Sequence, residues 1–120
     1  MNPSDYLKKV TKHKYGAKPK VVDGKRYASQ LEGRYAEKLE LAKRSGDLLF
    51  YLSQVRFPLA KDVVYVVDFV EFWASKDDQP GDIIFTECKG FETPEWKLKY
   101  KLFLENYPWI ELNLVKKWLR

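Results

Sequence analysis

Cysteine and histidine are almost absent from this sequence, each occurring once among 120 residues. With Cys88 as the only thiol, the chain cannot form an internal disulfide. With His13 as the only imidazole, it also lacks the set of cysteines and histidines that builds an ordinary zinc site. Any metal bound by this chain is therefore expected to be held by oxygen ligands.

Long apolar runs are missing as well. No segment approaches the roughly 20 apolar residues that cross a bilayer, and the lysine-rich start of the chain has no apolar core of the signal-peptide kind. We therefore expect a cytoplasmic protein that contacts no membrane. With 45% hydrophobic and 16% aromatic residues, the chain can bury the core of one domain.

The net charge of +5 is concentrated at the start of the chain. Residues 1–19 show no sustained apolar period and predict a basic arm, whereas residues 20–120 predict a folded domain. Such an arm favours a polyanion such as DNA, and a solvated terminus without a partner is the alternative. One acid stands in the first twenty residues against six lysines, of which the last four are candidate DNA contacts: Lys8, Lys9, Lys12, Lys14, Lys18 and Lys20.

Two helices are predicted from the signals at their ends. Ser29 and Glu32 have the spacing of a capping box, and apolar residues then recur every three or four positions until Gly46, which suits a left-handed cap. A Thr-Pro pair at 93–94 supplies a second N-cap with proline at the first helical position. The helix that follows is expected over 95 to about 106.

Segments rich in β-branched and aromatic residues predict the strands. An Asp-Gly turn at 23–24 indicates a short hairpin before the first helix. The resulting order of short β, helix, three strands, helix and strand predicts a single α/β or α+β domain, with a mixed sheet flanked by helices. The main strands are expected at 48–57, which Pro58 ends, at 63–72 and 82–88, which pair as an antiparallel hairpin, and at 109–115.

Two carboxylates interrupt the predicted hairpin at matching positions. The midpoint between Asp68 and Glu87 falls inside the connecting loop, so the two residues are expected to face each other. Directly opposed residues have Cβ atoms about 5 Å apart, and like charges there are destabilising. A divalent cation would relieve this repulsion, and Mg²⁺ prefers carboxylate and carbonyl oxygens. The pair therefore predicts a magnesium site. The alternatives are that Glu87 and Lys89 form an exposed strand pair and that Asp68 only caps the end of a buried strand.

Lys89 lies two residues beyond Glu87, so both side chains are expected on one face of the sheet. At a phosphodiester site a metal can polarise the phosphate and activate water, while a lysine can orient that water or stabilise the developing charge. The main-chain carbonyl of Cys88, between these two residues, is a further candidate metal ligand.

Glu32 has two possible roles. Its carboxylate can complete the capping box by reaching back to Ser29. It also lies on the same helix side as Tyr35, Ala36 and Leu39, where an unpaired carboxylate would be costly to bury. Aimed at the sheet instead, it would join the metal site, and the two roles exclude each other only if the side chain folds back onto Ser29.

These residues resemble the motif of the PD-(D/E)xK nuclease superfamily, which has an acid on the first helix, an acid at a strand end and Glu-x-Lys on the next strand. Val67 departs from it, because the name-giving proline would stand there. The order and spacing of further motifs are similar to those of phage endonuclease I enzymes, which resolve Holliday junctions, and of small phage and prophage proteins. The motifs similar to those of endonuclease I are Tyr15-Gly16-Ala17-Lys18, Ser29-x-Leu31-Glu32, Tyr65-x-x-Asp68-Phe69 and Glu87-x-Lys89-Gly90. The similar layout of the small phage and prophage proteins also includes Gln54-x-x-Phe57 and Thr93-Pro94-x-x-Lys97.

The resemblance implies a restriction-endonuclease-like fold and DNA hydrolysis that depends on Mg²⁺ or Mn²⁺. Asp68 and Glu87 would be metal ligands, Lys89 the catalytic lysine, and Glu32 a ligand of a second metal or the residue that positions water. It also implies a branched or four-way-junction substrate in phage recombination, in the host cytoplasm. A homodimer is expected because a junction has two-fold character and this domain presents one site.

Other polar positions support weaker predictions. Gln54 could bind the site or a phosphate, or it could lie on an exposed strand face. Lys97 and Lys101, one helical turn apart, could share a face toward DNA phosphates, or they could belong to an ordinary solvated helix surface. Core or edge packing is favoured over base stacking for the four tryptophans, Trp73, Trp96, Trp109 and Trp118.

The leading hypothesis is a Mg²⁺-dependent DNA endonuclease. The second hypothesis is a non-catalytic DNA-binding protein that retains the nuclease fold. The third is an interaction protein whose acids merely cap strands. The second and third hypotheses both predict that the protein acts independently of metal. A comparison of DNA cleavage with and without Mg²⁺ therefore distinguishes them from the first hypothesis.

Overall fold

The structure, a computed structural model, describes residues 20–22, 25–27 and 29–117. The whole predicted arm, including Lys12, Lys14 and Lys18, lies outside these residues, as do the turn at 23–24 and Trp118. The helices are α1 (Gln30–Ser45) and α2 (Pro94–Asn106). The strands are β1 (Lys20–Val22), β2 (Lys25–Tyr27), β3 (Leu48–Ala60), β4 (Val63–Trp73), β5 (Ile83–Cys88) and β6 (Leu112–Val115).

The strands form a two-stranded ribbon and a four-stranded mixed sheet. β1 pairs antiparallel with β2. In the larger sheet the order is β3-β4-β5-β6, with two antiparallel pairings followed by a parallel one between β5 and β6. The predicted α+β domain with a mixed sheet and two helices is therefore confirmed. Neither helix is long and apolar enough to cross a membrane.

Both helices begin at the predicted caps. The Ser29 side chain accepts a hydrogen bond from the backbone N–H of Glu32 at 3.1 Å, and the Thr93 side chain accepts one from the N–H of Trp96 at 3.0 Å. α1 ends at Gly46, whose φ of 86° is the left-handed conformation that glycine adopts without steric cost. Local signals at the termini were thus enough to place α1 and α2.

Two strand boundaries differ from the predictions. β3 continues through Pro58 to Ala60, because it is an edge strand and a proline there can turn its missing N–H away from the neighbouring strand. β6 begins at Leu112 rather than at residue 109. After α2 the chain first forms a turn, in which the N–H of Ile110 donates to the carbonyl of Tyr107 at 3.0 Å.

The two faces of the sheet carry separate apolar clusters. Residues of α1 pack with Phe69 on one face, and Phe103 of α2 packs with Tyr65 and Val67 on the other. A regular strand would place Val67 and Phe69 on the same face. The alternation of side chains between the two faces of the sheet is therefore shifted by one residue at Asp68, which lies between Val67 and Phe69.

Candidate active site

The site forms where β4 and β5 separate. Their pairing ends at Phe69 and Thr86, with the symmetry about the loop that the sequence predicts, and Asp68 and Glu87 are the next residues beyond this last pair. Beyond Thr86, β5 remains paired with β6 on its other side. The N–H of Cys88 donates to Oδ2 of Asp68 at 2.8 Å, so the two strands stay connected at this point. Both carboxyl groups are buried.

Burial is the main influence on the Asp68 carboxyl group and raises its pKa. Hydrogen bonds from Glu87 and from the Cys88 N–H act in the opposite direction, and so does the charge of Lys89. A further donor is Nε2 of Gln54, which lies 3.4 Å from Oδ1. The Asp68 carboxylate is thus buried and surrounded by hydrogen-bond donors.

Glu87 is held from the α2 side of the sheet. The hydroxyl of Tyr65 donates to its Oε2 at 2.7 Å, and that hydroxyl accepts from Nε1 of Trp96 at 3.1 Å. Burial, followed by the charge of Asp68, raises the pKa of Glu87 to about 10. Without a cation, burial and the charge of Asp68 therefore favour the protonated form of Glu87.

Glu32 serves both the helix cap and the site. Its backbone N–H donates to Ser29, but its carboxylate faces the sheet and accepts from Nε2 of Gln54 at 3.4 Å. Burial raises the pKa of this carboxyl group well above its ordinary value, the charge of Asp68 raises it further, and the charge of Lys89 lowers it. The side chain does not fold back in a way that would take it out of the site.

Gln54 bridges the acids of α1 and β4 from an unusual backbone conformation. Its φ of 55° lies in the left-handed region, although its neighbours Ser53 and Val55 pair regularly with β4. A non-glycine residue in this conformation costs about 1–3 kcal/mol, and such strain tends to occur at functional sites. The conformation directs the amide toward Glu32 and Asp68 rather than leaving it on an exposed strand face.

Lys89 follows β5 directly and supplies the positive charge near the acids. Its backbone N–H donates to the carbonyl of Val115 at 2.9 Å, and its Nζ lies 5.5 Å from the centroid of the Trp96 ring. Its charge lowers the pKa of Glu32, Asp68 and Glu87.

The predicted DNA-contacting lysines within the described part of the chain lie apart from the acids. Lys97 and Lys101 line one groove on α2, beside Trp96 and Tyr100. Lys20 instead forms an ion pair with Glu37 of α1, with Nζ 2.9 Å from Oε1.

The donor types fit a hard divalent cation in chemistry, because Glu32, Asp68 and Glu87 are buried carboxyl groups and Asp68 interacts electrostatically with the other two. In the described residues, however, no three His, Cys, Asp or Glu side chains are already arranged around one point. The Cys88 thiol packs in the α1 cluster, and burial raises its pKa. A ligand role for the Cys88 carbonyl stays a prediction.

Residues 12–120 match the family described as "Protein of unknown function (DUF1064)". The chain belongs to the DUF1064 family. No curated protein and no solved structure matches it. The DUF1064 match spans all of the described helices and strands, and with them the acids and the lysine of the site. Because the family description carries no activity, the chemistry has to be argued from the site itself.

Two side chains of this DUF1064 chain were missed as parts of the network. Tyr65 orients Glu87, and Glu71 is a fully buried carboxylate that accepts from Tyr35 at 2.7 Å and Thr86 at 2.6 Å. Glu71 thereby ties α1 and β5 together beside the site. The only sequence signal was an acid within an apolar strand, since Thr86 and Tyr35 lie 15 and 36 residues away, and only Trp73, which donates to Glu71 at 3.0 Å, is a near neighbour.

Proposed function

We propose that this protein is a metal-dependent endonuclease that hydrolyses phosphodiester bonds in DNA. The observation that carries the proposal is the group of buried acids where β4 and β5 separate, in which Asp68 interacts with both Glu87 and Glu32, and the charge of Lys89 acts on all three. Buried acids that raise one another's pKa are costly in a metal-free protein, and they are a recurring feature of functional sites.

Mg²⁺ or Mn²⁺ is the proposed cofactor. Asp68 and Glu87 would hold it, with Glu32 and the Cys88 carbonyl as further ligands. A bound divalent cation supplies positive charge that polarises the phosphate and favours deprotonation of water. The raised pKa of each of the three carboxyl groups supports this assignment, because a cation would favour their charged forms and relieve their repulsion.

The chain's own groups orient the reactants. The ammonium group of Lys89, held near the Trp96 ring, can orient the attacking water or balance the negative charge that develops on the phosphate. The Tyr65 hydroxyl keeps Glu87 in one orientation, and the Gln54 amide holds Glu32 and Asp68 at their separation. Such supporting contacts typically change metal affinity or activity by about 10–100-fold.

The proposed substrate is branched DNA, in particular four-way junctions formed during phage recombination or DNA processing in the host cytoplasm. The resemblance to junction-resolving nucleases supports this substrate, and the net charge of +5 supports a polyanionic partner. A homodimer would match the two-fold character of a junction. Sedimentation equilibrium tests this expectation, and a strictly monomeric protein at the concentrations used for cleavage would contradict it.

A substrate panel tests the function. Supercoiled, linear, single-stranded and four-way-junction DNA are each incubated with the full-length protein, in Mg²⁺ or in EDTA. We expect cleavage in Mg²⁺ alone, with the junction cleaved fastest. Failure to cleave any of the four substrates in Mg²⁺ would contradict the proposal, and tight binding without cleavage would favour the non-catalytic DNA-binding protein.

A further inference from the structure

An open groove of about 380 Å³ runs along α2 next to the site. Its floor is formed mainly by apolar atoms of Trp96, Tyr100 and Leu104, and Lys97 and Lys101 stand along it. The Trp96 and Tyr100 rings lie 4.9 Å apart at an interplanar angle of 49°. The groove therefore combines aromatic surfaces with positive charge, and the function proposed above assigns it no role.

The charges beside the groove favour an anionic ligand. Among the described residues, the ion pairs on and beside α2 join Lys99 to Glu95 and Lys116 to Glu92, and no ion pair engages Lys97 or Lys101. Glu92, which lines the groove, is neutralised by Lys116 at 2.9 Å. Glu105 is the other acid of the lining. The two unpaired lysines thus remain available to phosphates.

Trp96 connects the groove to the proposed active site. One ring lines the groove and also lies 5.5 Å from Nζ of Lys89. Its Nε1–H donates to the Tyr65 hydroxyl, which donates to Glu87. Only Trp96 and Tyr65 separate the groove from Glu87. A DNA strand bound in the groove would therefore lie next to the phosphodiester bond that is cleaved.

We propose that the groove binds an unpaired segment of the DNA strand beside the scissile phosphate, an inference that rests on the proposed nuclease function. Bases stack against Tyr100 and the exposed part of Trp96, and phosphates lie near Lys97 and Lys101. In a continuous duplex the faces of the bases are covered by their neighbours, so an apolar aromatic floor has little to bind. Unpaired bases expose these faces, and aromatic stacking contributes about 1–3 kcal/mol per base.

Binding in EDTA tests the groove without requiring cleavage. Fluorescence anisotropy measures the affinity of the full-length protein for a labelled single-stranded oligonucleotide and for a blunt duplex of the same length, over a range of salt concentrations. The variants are Tyr100→Leu, Lys97→Ala and Lys101→Ala. Lys99→Ala is the matched control, because it removes the same charge from the same helix at a residue outside the groove lining. Thermal melting confirms that each variant is folded.

The two kinds of variant have different expected signatures. Tyr100→Leu weakens single-strand binding by about 5–150-fold without changing its salt dependence, because a stacking surface is lost but no charge. Lys97→Ala and Lys101→Ala each flatten the salt dependence by about one unit of slope, because one phosphate contact is lost. Lys99→Ala and all duplex affinities change by less than about twofold.

Several results would overturn the groove proposal. The first is an unchanged single-strand affinity in Tyr100→Leu. The second is a loss of affinity in Lys99→Ala as large as in Lys97→Ala or Lys101→Ala, and the third is a loss of duplex affinity in the groove variants as large as their loss of single-strand affinity. The last two results would indicate attraction by the overall positive charge rather than binding in the groove. Unchanged binding in all variants would leave the groove to another occupant, such as an apolar peptide. Failure of the nuclease proposal is separate, since it would appear as absent cleavage in Mg²⁺ with these binding signatures intact.

Discussion

Gln54 holds two acids from a backbone conformation that few residues adopt. Its φ of 55° occurs in the middle of β3, while its amide lies 3.4 Å from both Glu32 and Asp68. Glycine would relieve the backbone strain, but it would remove the amide that separates the two carboxyl groups. Stability and function therefore make opposite demands at this position.

Two substitutions of Gln54 distinguish the effect of backbone strain on stability from the effect of the amide on cleavage. Gln54→Gly is expected to be more stable than Gln54→Ala by about 1 kcal/mol, because alanine keeps the Cβ that makes the left-handed conformation costly. Both variants lose the amide, so both should cleave DNA about 10–100-fold more slowly than the wild type. Urea denaturation and single-turnover cleavage measure the two effects. An alanine variant as stable as the glycine variant would contradict the strain.

The raised pKa of Glu87 predicts how stability depends on pH. Its pKa is about 10 in the folded protein and 4.5 ordinarily, so between these values the folded state binds more protons than the unfolded state. The free energy of unfolding of the metal-free protein should therefore fall as pH rises through this window. Thermal melts from pH 6 to pH 8 in EDTA, above the ordinary range of carboxyl groups, check the sign. Melting temperatures that rise over this range would contradict it.

Metal should reverse this loss of stability. At about 100 times its Kd, Mg²⁺ is expected to raise the free energy of unfolding by about 2.7 kcal/mol at pH 8. At the same Mg²⁺ concentration, the increase in the free energy of unfolding should be smaller at pH 6, because protons then compete with Mg²⁺ for the same carboxylates. Asp68→Asn is the matched control, since it keeps the shape of the side chain but removes a proposed ligand. An equal effect of Mg²⁺ on the wild type and on this variant would place the metal elsewhere.

At the scale of elements, α1 combines a cap and a site residue within its first turn. The Ser29 hydroxyl binds the N–H of Glu32, while the Glu32 carboxylate faces β3. We expect Ser29→Ala to lower stability by about 1 kcal/mol and to leave the cleavage rate within about twofold. Glu32→Gln should keep stability at neutral pH and slow cleavage. Chemical denaturation and cleavage rates distinguish these effects, and normal cleavage by Glu32→Gln would leave this residue with only its capping role.

Helices were easier to predict from the sequence than strand ends. The caps at Ser29 and Thr93 and the stop at Gly46 are local signals, and the structure confirms them. The prediction that Pro58 ends β3 was wrong, because a strand can continue through a proline when it lies at the edge of the sheet. That position is set by the pairing of distant segments, and no local signal reports it.

The site was predictable where it depends on hairpin symmetry. The β4–β5 register is symmetric about its loop, as expected, and its last pair, Phe69 and Thr86, leaves Asp68 and Glu87 as the next residues on the two strands. The shift in the alternation of faces at Asp68 and the roles of Tyr65 and Glu71 were not predictable. They depend on contacts between residues that are 15 to 36 positions apart in the chain.

At the scale of the whole molecule, the charge distribution predicts a role for the N-terminal arm. Removing residues 1–14 deletes four lysines and one aspartate. The truncated protein should bind DNA more weakly at low salt and show a flatter salt dependence, since fewer counterions are released. Its melting temperature is the control for folding. An unchanged affinity and slope would show that the arm contributes nothing to binding.

The most direct test of the proposed nuclease is the single-turnover rate of junction cleavage in Mg²⁺, with each protein saturating the DNA. Asp68→Asn and Lys89→Ala are compared with the wild type and with Lys99→Ala, which lies outside the site. We predict that the two site variants cleave at least about 10²-fold more slowly while Lys99→Ala keeps the wild-type rate. Wild-type cleavage by Asp68→Asn or Lys89→Ala, or no Mg²⁺-dependent cleavage by the wild type, would contradict the account.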